Sequence, residues 1–173
     1  MPTLVMMHGM TGTAEMMRPF AEKILPEGWD LLVPQAEFPH PKRGFTWWRY
    51  EGGDNPGRRI LSAKELSDVD SSLLKLSNML PDDQLVLGGF SQGGAMAQEL
   101  LQFNLNILGI VAIATRVVRP LELRDRLTQI SVGKLLWMHG ESDHRVSLEA
   151  GLEIPELFLE SGWDVTKIQH HKG

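Results

Sequence analysis

The stretch Gln84-Leu85-Val86-Leu87-Gly88-Gly89-Phe90-Ser91-Gln92-Gly93-Gly94-Ala95-Met96-Ala97 decides the fold. It reads as a buried strand, a glycine-crowded turn around one serine, and then a helix. Gly89-Phe90-Ser91-Gln92-Gly93 is a G-x-S-x-G, and five such residues alone recur by chance. Their position between a strand and a helix gives them meaning. A serine there sits on a sharp turn above the C-terminal edge of a parallel sheet. The flanking glycines leave room where a Cβ would strike the turn or the neighbouring strand. The following helix aims its N-terminus at any negative charge developing beside the serine. The competing reading is a glycine-rich turn with an N-capping serine.

The rest of the chain repeats the same alternation. Apolar runs at 4–7, 29–33, 84–87, 107–114, 134–138 and 163–169 are mostly continuous rather than alternating, as expected of parallel strands covered on both faces. Helix-like periodicity fills 14–25, 63–79, 92–103 and 148–160, with Thr13 and Ser62 as N-caps and Pro81 after the second helix. The stretch 121–127 suits either a helix or a loop. Right-handed crossovers then give an α/β three-layer sandwich on a mostly parallel sheet of about six strands. At 173 residues the chain is read as one domain, 1–173. One segment, 35–59, breaks the rhythm with prolines, glycines and five aromatics, and a loop that long is more often functional than idle.

Composition excludes several classes. A net charge of −5 does not suit an electrostatic nucleic-acid binder. The absence of cysteine removes disulfides, thiolate metal sites and a cysteine nucleophile. No apolar run reaches the ~20 residues of a membrane span, and the N-terminus lacks signal-peptide features, so a cytoplasmic location is expected.

Three ordered motifs resemble the phospholipase/carboxylesterase family of α/β-hydrolases, which includes the acyl-protein thioesterases. They are Gly88 to Gly94; Val5-Met6-Met7-His8-Gly9-Met10-Thr11-Gly12, with Thr11 inserted before the glycine; and Leu135 to Val146, with His139-Gly140-Glu141-Ser142-Asp143. The resemblance implies strand order 29–33, 4–8, 84–89, 107–114, 134–139, 163–169. It also implies a serine hydrolase of carboxylic esters or thioesters that works through an acyl-enzyme. Ser91 would be the nucleophile and Asp143 the acid that orients a histidine, with Glu141 as the rival carboxylate. Backbone N–H groups of Met10 and Gln92 would form the oxyanion hole. His8 and His139 would be structural, as would Thr115. Trp47 and Trp48 are candidates for a substrate-binding wall; the alternative is that they anchor the long loop to the core. His144 stands where the family has proline.

The resemblance departs from the family at the ends. The first strands and the C-terminal helix of the full fold are missing. Laying Val165-Thr166 on the family's last strand puts the catalytic histidine just after Gly173, so the chain reads as truncated there, with His171 as the fallback base. The alternatives are a catalytically inactive binding module, or a peptidase or acyltransferase on the same fold. The expected partner is a small ester or thioester. No metal or organic cofactor is implied, and oligomeric state is left open.

Overall fold

A computed structural model describes residues 1–51 and 60–171. The glycine-rich part of the long loop, with Gly52-Gly53 and Asn55-Pro56-Gly57, lies outside the described residues, as do Lys172 and Gly173.

Among the described residues, eight strands and five α-helices follow one another as β1 (Thr3–Met7), α1 (Ala14–Ile24), β2 (Asp30–Leu32), β3 (Phe38–Pro39), β4 (Phe45–Thr46), α2 (Ala63–Met79), β5 (Gln84–Phe90), α3 (Gln92–Glu99), β6 (Asn106–Ile113), α4 (Pro120–Leu127), β7 (Lys134–Gly140), α5 (Leu148–Glu160) and β8 (Asp164–His170). Six strands form one sheet in the order β2-β1-β5-β6-β7-β8, and every pairing in it is parallel. This is the order that the family resemblance implies, and the architecture is the α/β sandwich.

Both faces of the sheet are covered at its centre. Along β1, Val5 and Met7 join the large core with Ala95 and Met96 of α3, whereas Leu4 and Met6 pack on the other face with Met17 and Ala21 of α1. That double burial explains the unbroken apolar runs. Helix starts follow local chemistry. The Thr13 hydroxyl accepts from the Met16 N–H at 3.1 Å, and Ser62 with Glu65 forms a reciprocal capping box. The segment 120–127 is helical, opened by Pro120 at a position where a missing N–H costs nothing. The helix expected over 92–103 stops at Glu99 and tightens into a 3-10 turn over Leu100–Gln102. The long loop carries a short antiparallel hairpin, β3–β4, that the sequence reading did not separate.

Candidate functional site

The chemistry-bearing turns meet where β1, β5 and β7 end. Ser91 lies between β5 and α3 at φ +55°, ψ −119°, a left-handed conformation that a non-glycine residue adopts only under constraint. The constraint is visible around it. Its N–H donates to the Ile113 carbonyl at 2.9 Å, and its carbonyl accepts from Thr115 Oγ1 at 2.5 Å and from Gly94 N–H at 3.0 Å. A Cβ on Gly93 would stand 2.1 Å from the Met7 carbonyl oxygen, and one on Gly89 would stand 2.3 Å from the Gly93 carbonyl carbon. Both glycines are therefore required by the close approach of backbone to backbone.

The loop after β1 reaches over this turn. A Cβ on Gly9 would meet Phe90 at 3.1 Å and Ser91 Cβ at 3.5 Å. The loop is pinned from behind by β4, because Thr11 N–H donates to the Phe45 carbonyl and Phe45 N–H to the Gly12 carbonyl, at 2.9 and 3.0 Å. Among the described residues no backbone carbonyl accepts from the N–H of Met10 or of Gln92. Neither N–H is therefore committed to a backbone partner.

Asp143 completes the assembly from the loop after β7. Its Oδ1 accepts the N–H groups of Arg145 and Val146 at 2.8 and 2.9 Å, an arrangement that fixes the carboxylate at the loop's start. Ser91, Met10 and Asp143 line one open cleft of about 520 Å³. Its apolar side comes from Met16, Met17, Phe20, Phe90 and Ile113. Met16, Phe20 and Phe90 are 63%, 41% and 48% exposed, so this apolar surface is open to solvent and to a ligand.

The structure does not bring the other candidates into the cleft. Trp47 and Trp48 are both buried in the core. The Trp47 indole N–H donates to the His8 carbonyl at 2.8 Å, and its ring stacks on the imidazole of His8 at 5.1 Å. The Trp48 carbonyl accepts from Gln92 Nε2 at 3.0 Å. They anchor the loop, which was the second of the two readings of this pair, and the cleft wall belongs to α1 and Phe90 instead. His171 is 88% exposed and its Nδ1 lies 3.1 Å from the rival carboxylate Glu141, whose other partner is Gln169. Those two contacts hold the Glu141 carboxyl below its ordinary range.

His8 borders the cleft, but both of its ring nitrogens are engaged. Nε2 accepts from the Ala36 N–H at 3.0 Å, which leaves Nδ1–H to donate to the Gly9 carbonyl at 2.7 Å. Burial pushes its pKa below the ordinary value, so it stays neutral. His139 is buried, stacked on Trp137, and bonded through Nε2 to the Val146 carbonyl at 2.8 Å. Among the described residues no three His, Asp or Glu side chains converge as a metal site. No described helix is long and apolar enough to cross a membrane.

Sequence reasoning passed over Met16, Phe20, Arg43 and Arg145, all of which line the cleft. The signal for the first two was present. Met16, Phe20 and Ile24 form an i, i+4, i+8 row beside the buried pair Met17 and Ala21, a second apolar stripe that packing does not need.

The comparisons with known proteins agree with this architecture. A family model described as phospholipase/carboxylesterase matches residues 57–172. The chain is similar to acyl-protein thioesterase 1 of Neurospora crassa, with 28% identity over 95 residues. That match covers 53% of this chain and 39% of the fungal protein, so it spans well under half of that relative's length. Among solved structures, acyl-protein thioesterase 2 of Zea mays superposes with a TM-score of 0.76 at 20% identity, over 99% of this chain and 85% of the maize chain. Esterase PE8 gives 0.74 at 20% identity, over 97% and 81%. At these identities the superpositions speak for the fold.

Proposed function

This chain belongs to the phospholipase/carboxylesterase family, and from that premise we propose that it hydrolyses carboxylic esters or thioesters through an acyl-enzyme on Ser91. The observation that carries the reading is the strained Ser91 backbone, held at φ +55° in a cleft that also contains Asp143 and Met10, with the N–H groups of Met10 and of the adjoining Gln92 free of backbone partners among the described residues. Strain of this kind is maintained against a cost of about 1–3 kcal/mol, and it presents the hydroxyl rather than burying it.

In the proposed reaction Ser91 Oγ attacks the substrate carbonyl carbon while its proton passes to a histidine. The carbonyl oxygen takes up the electron pair and is received by the N–H groups of Met10 and Gln92, at the N-terminus of α3. Collapse expels the alcohol or thiol, which takes the proton back, and water repeats the sequence to release the acid. Asp143 holds the imidazole in the right tautomer. The histidine belongs to the segment that leaves β8. Within the described residues the candidate there is His171.

Incubation with p-nitrophenyl butyrate and with a fluorophosphonate probe tests this. Nitrophenolate release and labelling, both abolished in Ser91→Ala, support the hydrolase. Turnover lost in His171→Ala assigns that residue as the base, and turnover retained excludes it. The pairing of His171 with Glu141 rather than Asp143 favours a second reading, a hydrolase scaffold that binds acyl ligands without turnover. An unlabelled Ser91 with intact ligand binding selects that one.

A further inference from the structure

The cleft contains two guanidiniums that the proposed chemistry does not use. Arg43 and Arg145 both line it, together with Asp143, so its side chains carry one excess positive charge in a chain whose net charge is −5. Both arginines are exposed, and among the described residues neither side chain has a hydrogen-bonding or acidic partner. Among the described residues the other exposed arginines, Arg18, Arg49 and Arg124, are each paired with a carboxylate.

The two are also positioned by the backbone. Arg43 sits in the β3–β4 hairpin immediately before Gly44, whose φ of +61° and whose approach to the loop after β1 leave no room for a side chain. A Cβ there would stand 2.2 Å from the Thr11 carbonyl oxygen. The hairpin is closed by His40 N–H donating to the Gly44 carbonyl at 2.9 Å. Arg145 has its N–H on Asp143 Oδ1 at 2.8 Å, within the loop that brings the carboxylate to the cleft. Each guanidinium is thus tied through its own backbone to a part of the site that flanks Ser91.

We infer that the substrate of this cleft is an anionic ester or thioester. Its apolar acyl group lies along Met16, Phe20 and Phe90, and its carboxylate or phosphate is received by Arg43 and Arg145. This rests on the hydrolase reading for the word substrate, but the recognition itself requires only binding. Guanidinium is suited to it, since its planar N–H fork matches both carboxylate and phosphate oxygens. A neutral acyl ester would leave both charges without a partner.

Non-hydrolysable ethers test recognition apart from catalysis. Calorimetric titration of the intact chain with 4-butoxybenzoate, 4-butoxyphenyl phosphate and 4-butoxyacetophenone compares two anions with a neutral ligand of the same apolar tail. At low salt the anions are expected to bind at least about tenfold more tightly than the neutral ketone, with the advantage shrinking as salt screens the charges. Arg43→Gln combined with Arg145→Gln should abolish the advantage at unchanged melting temperature, and each single variant should lose part of it. Preference for one anion over the other identifies carboxylate or phosphate as the source. Equal or tighter binding of the neutral ketone, or an anion preference that survives the double variant, overturns the inference. A chain that prefers the anions yet fails to react with fluorophosphonate sinks the hydrolase reading alone; one that reacts yet prefers the neutral ether sinks this inference alone.

Discussion

Gln92 Oε1 accepts the backbone N–H of Trp47 at 2.8 Å, so the residue after Ser91 is tied by its side chain to a loop 45 positions earlier in the chain. The amide's other end donates to the Trp48 carbonyl at 3.0 Å, and the whole contact is buried. A side chain that positions its own backbone N–H beside Ser91 is thereby fixed by the aromatic loop. Gln92→Leu fills similar space but strands the buried Trp47 N–H, at about 1–3 kcal/mol, while the Trp48 carbonyl keeps its bond from the Thr46 hydroxyl. We expect urea unfolding to show a loss of about 1–3 kcal/mol, and ester turnover per folded molecule to fall as well. A midpoint within error of the parent would mean the loop is anchored elsewhere.

The same contacts explain what could be read from the sequence and what could not. The parallel sheet was legible because the runs from Leu4 to Met7 and from Leu85 to Leu87 are apolar on both faces, as strands covered on both sides are, whereas the strand order came from the family resemblance. The tight turn at Ser91 was legible because Gly89 and Gly93 record backbone approaches that no other residue permits. Trp47 and Trp48 were ambiguous because an aromatic residue in a long loop suits a pocket wall and a core equally well. Their fate turns on partners far away in sequence: the His8 carbonyl, Gln92 and Ser72 Oγ, which donates to the Trp47 carbonyl at 2.6 Å. The cleft arginines left no local mark, since a surface arginine looks the same whether or not a fold places it beside Ser91.

Thr115 bears on the Ser91 turn from the other side, with Oγ1 donating to the Ser91 carbonyl at 2.5 Å from a fully buried position. Thr115→Val preserves the shape and removes the donor, whereas Thr115→Ser keeps the donor. The Ser91 carbonyl retains its bond from Gly94 N–H, so the stability cost of Thr115→Val should be only about 1 kcal/mol. Because the bond restrains a strained residue, the larger effect should be on kcat, with Thr115→Ser close to the parent. Equal kcat in both variants would show that the turn holds its shape without this bond.

Gly93 and Gly28 make opposite predictions for the same substitution. Gly28 has φ +82° with nothing within 4 Å of an added Cβ, so Gly28→Ala meets only backbone strain of about 1–2 kcal/mol. Gly93→Ala would push a methyl group into the Met7 and His8 carbonyls at 2.1 and 2.6 Å, between β1 and α3, where neither backbone can retreat. We expect Gly28→Ala to fold with a lowered melting temperature and Gly93→Ala to be insoluble or unfolded by circular dichroism. A folded Gly93→Ala of near-parental stability would contradict the proposed packing of the turn against β1.

Glu99, at the end of α3, is buried with Oε1 3.2 Å from an Arg119 guanidinium nitrogen, while the second guanidinium nitrogen pairs with Asp70 at 2.7 Å. Burial raises its carboxyl from an ordinary 4.5 to about 7, outweighing the pull of Arg119 and of the Gln102 hydrogen bond. Between those two values the unfolded chain has released this proton and the folded chain still holds it. Rising pH therefore favours the unfolded state across that window, and the penalty is complete and constant above about pH 7. Glu99→Gln cannot ionise, keeps hydrogen-bonding capacity near Gln102, and leaves Arg119 its partner Asp70. The variant should match the parent near pH 5 and exceed it near pH 8 by an amount on the order of 3 kcal/mol or less, read from urea midpoints at both pH values. Parental stability that rises through this window relative to Glu99→Gln would mean that the carboxylate is stabilised by Arg119 more than burial disfavours it, and the sign would reverse.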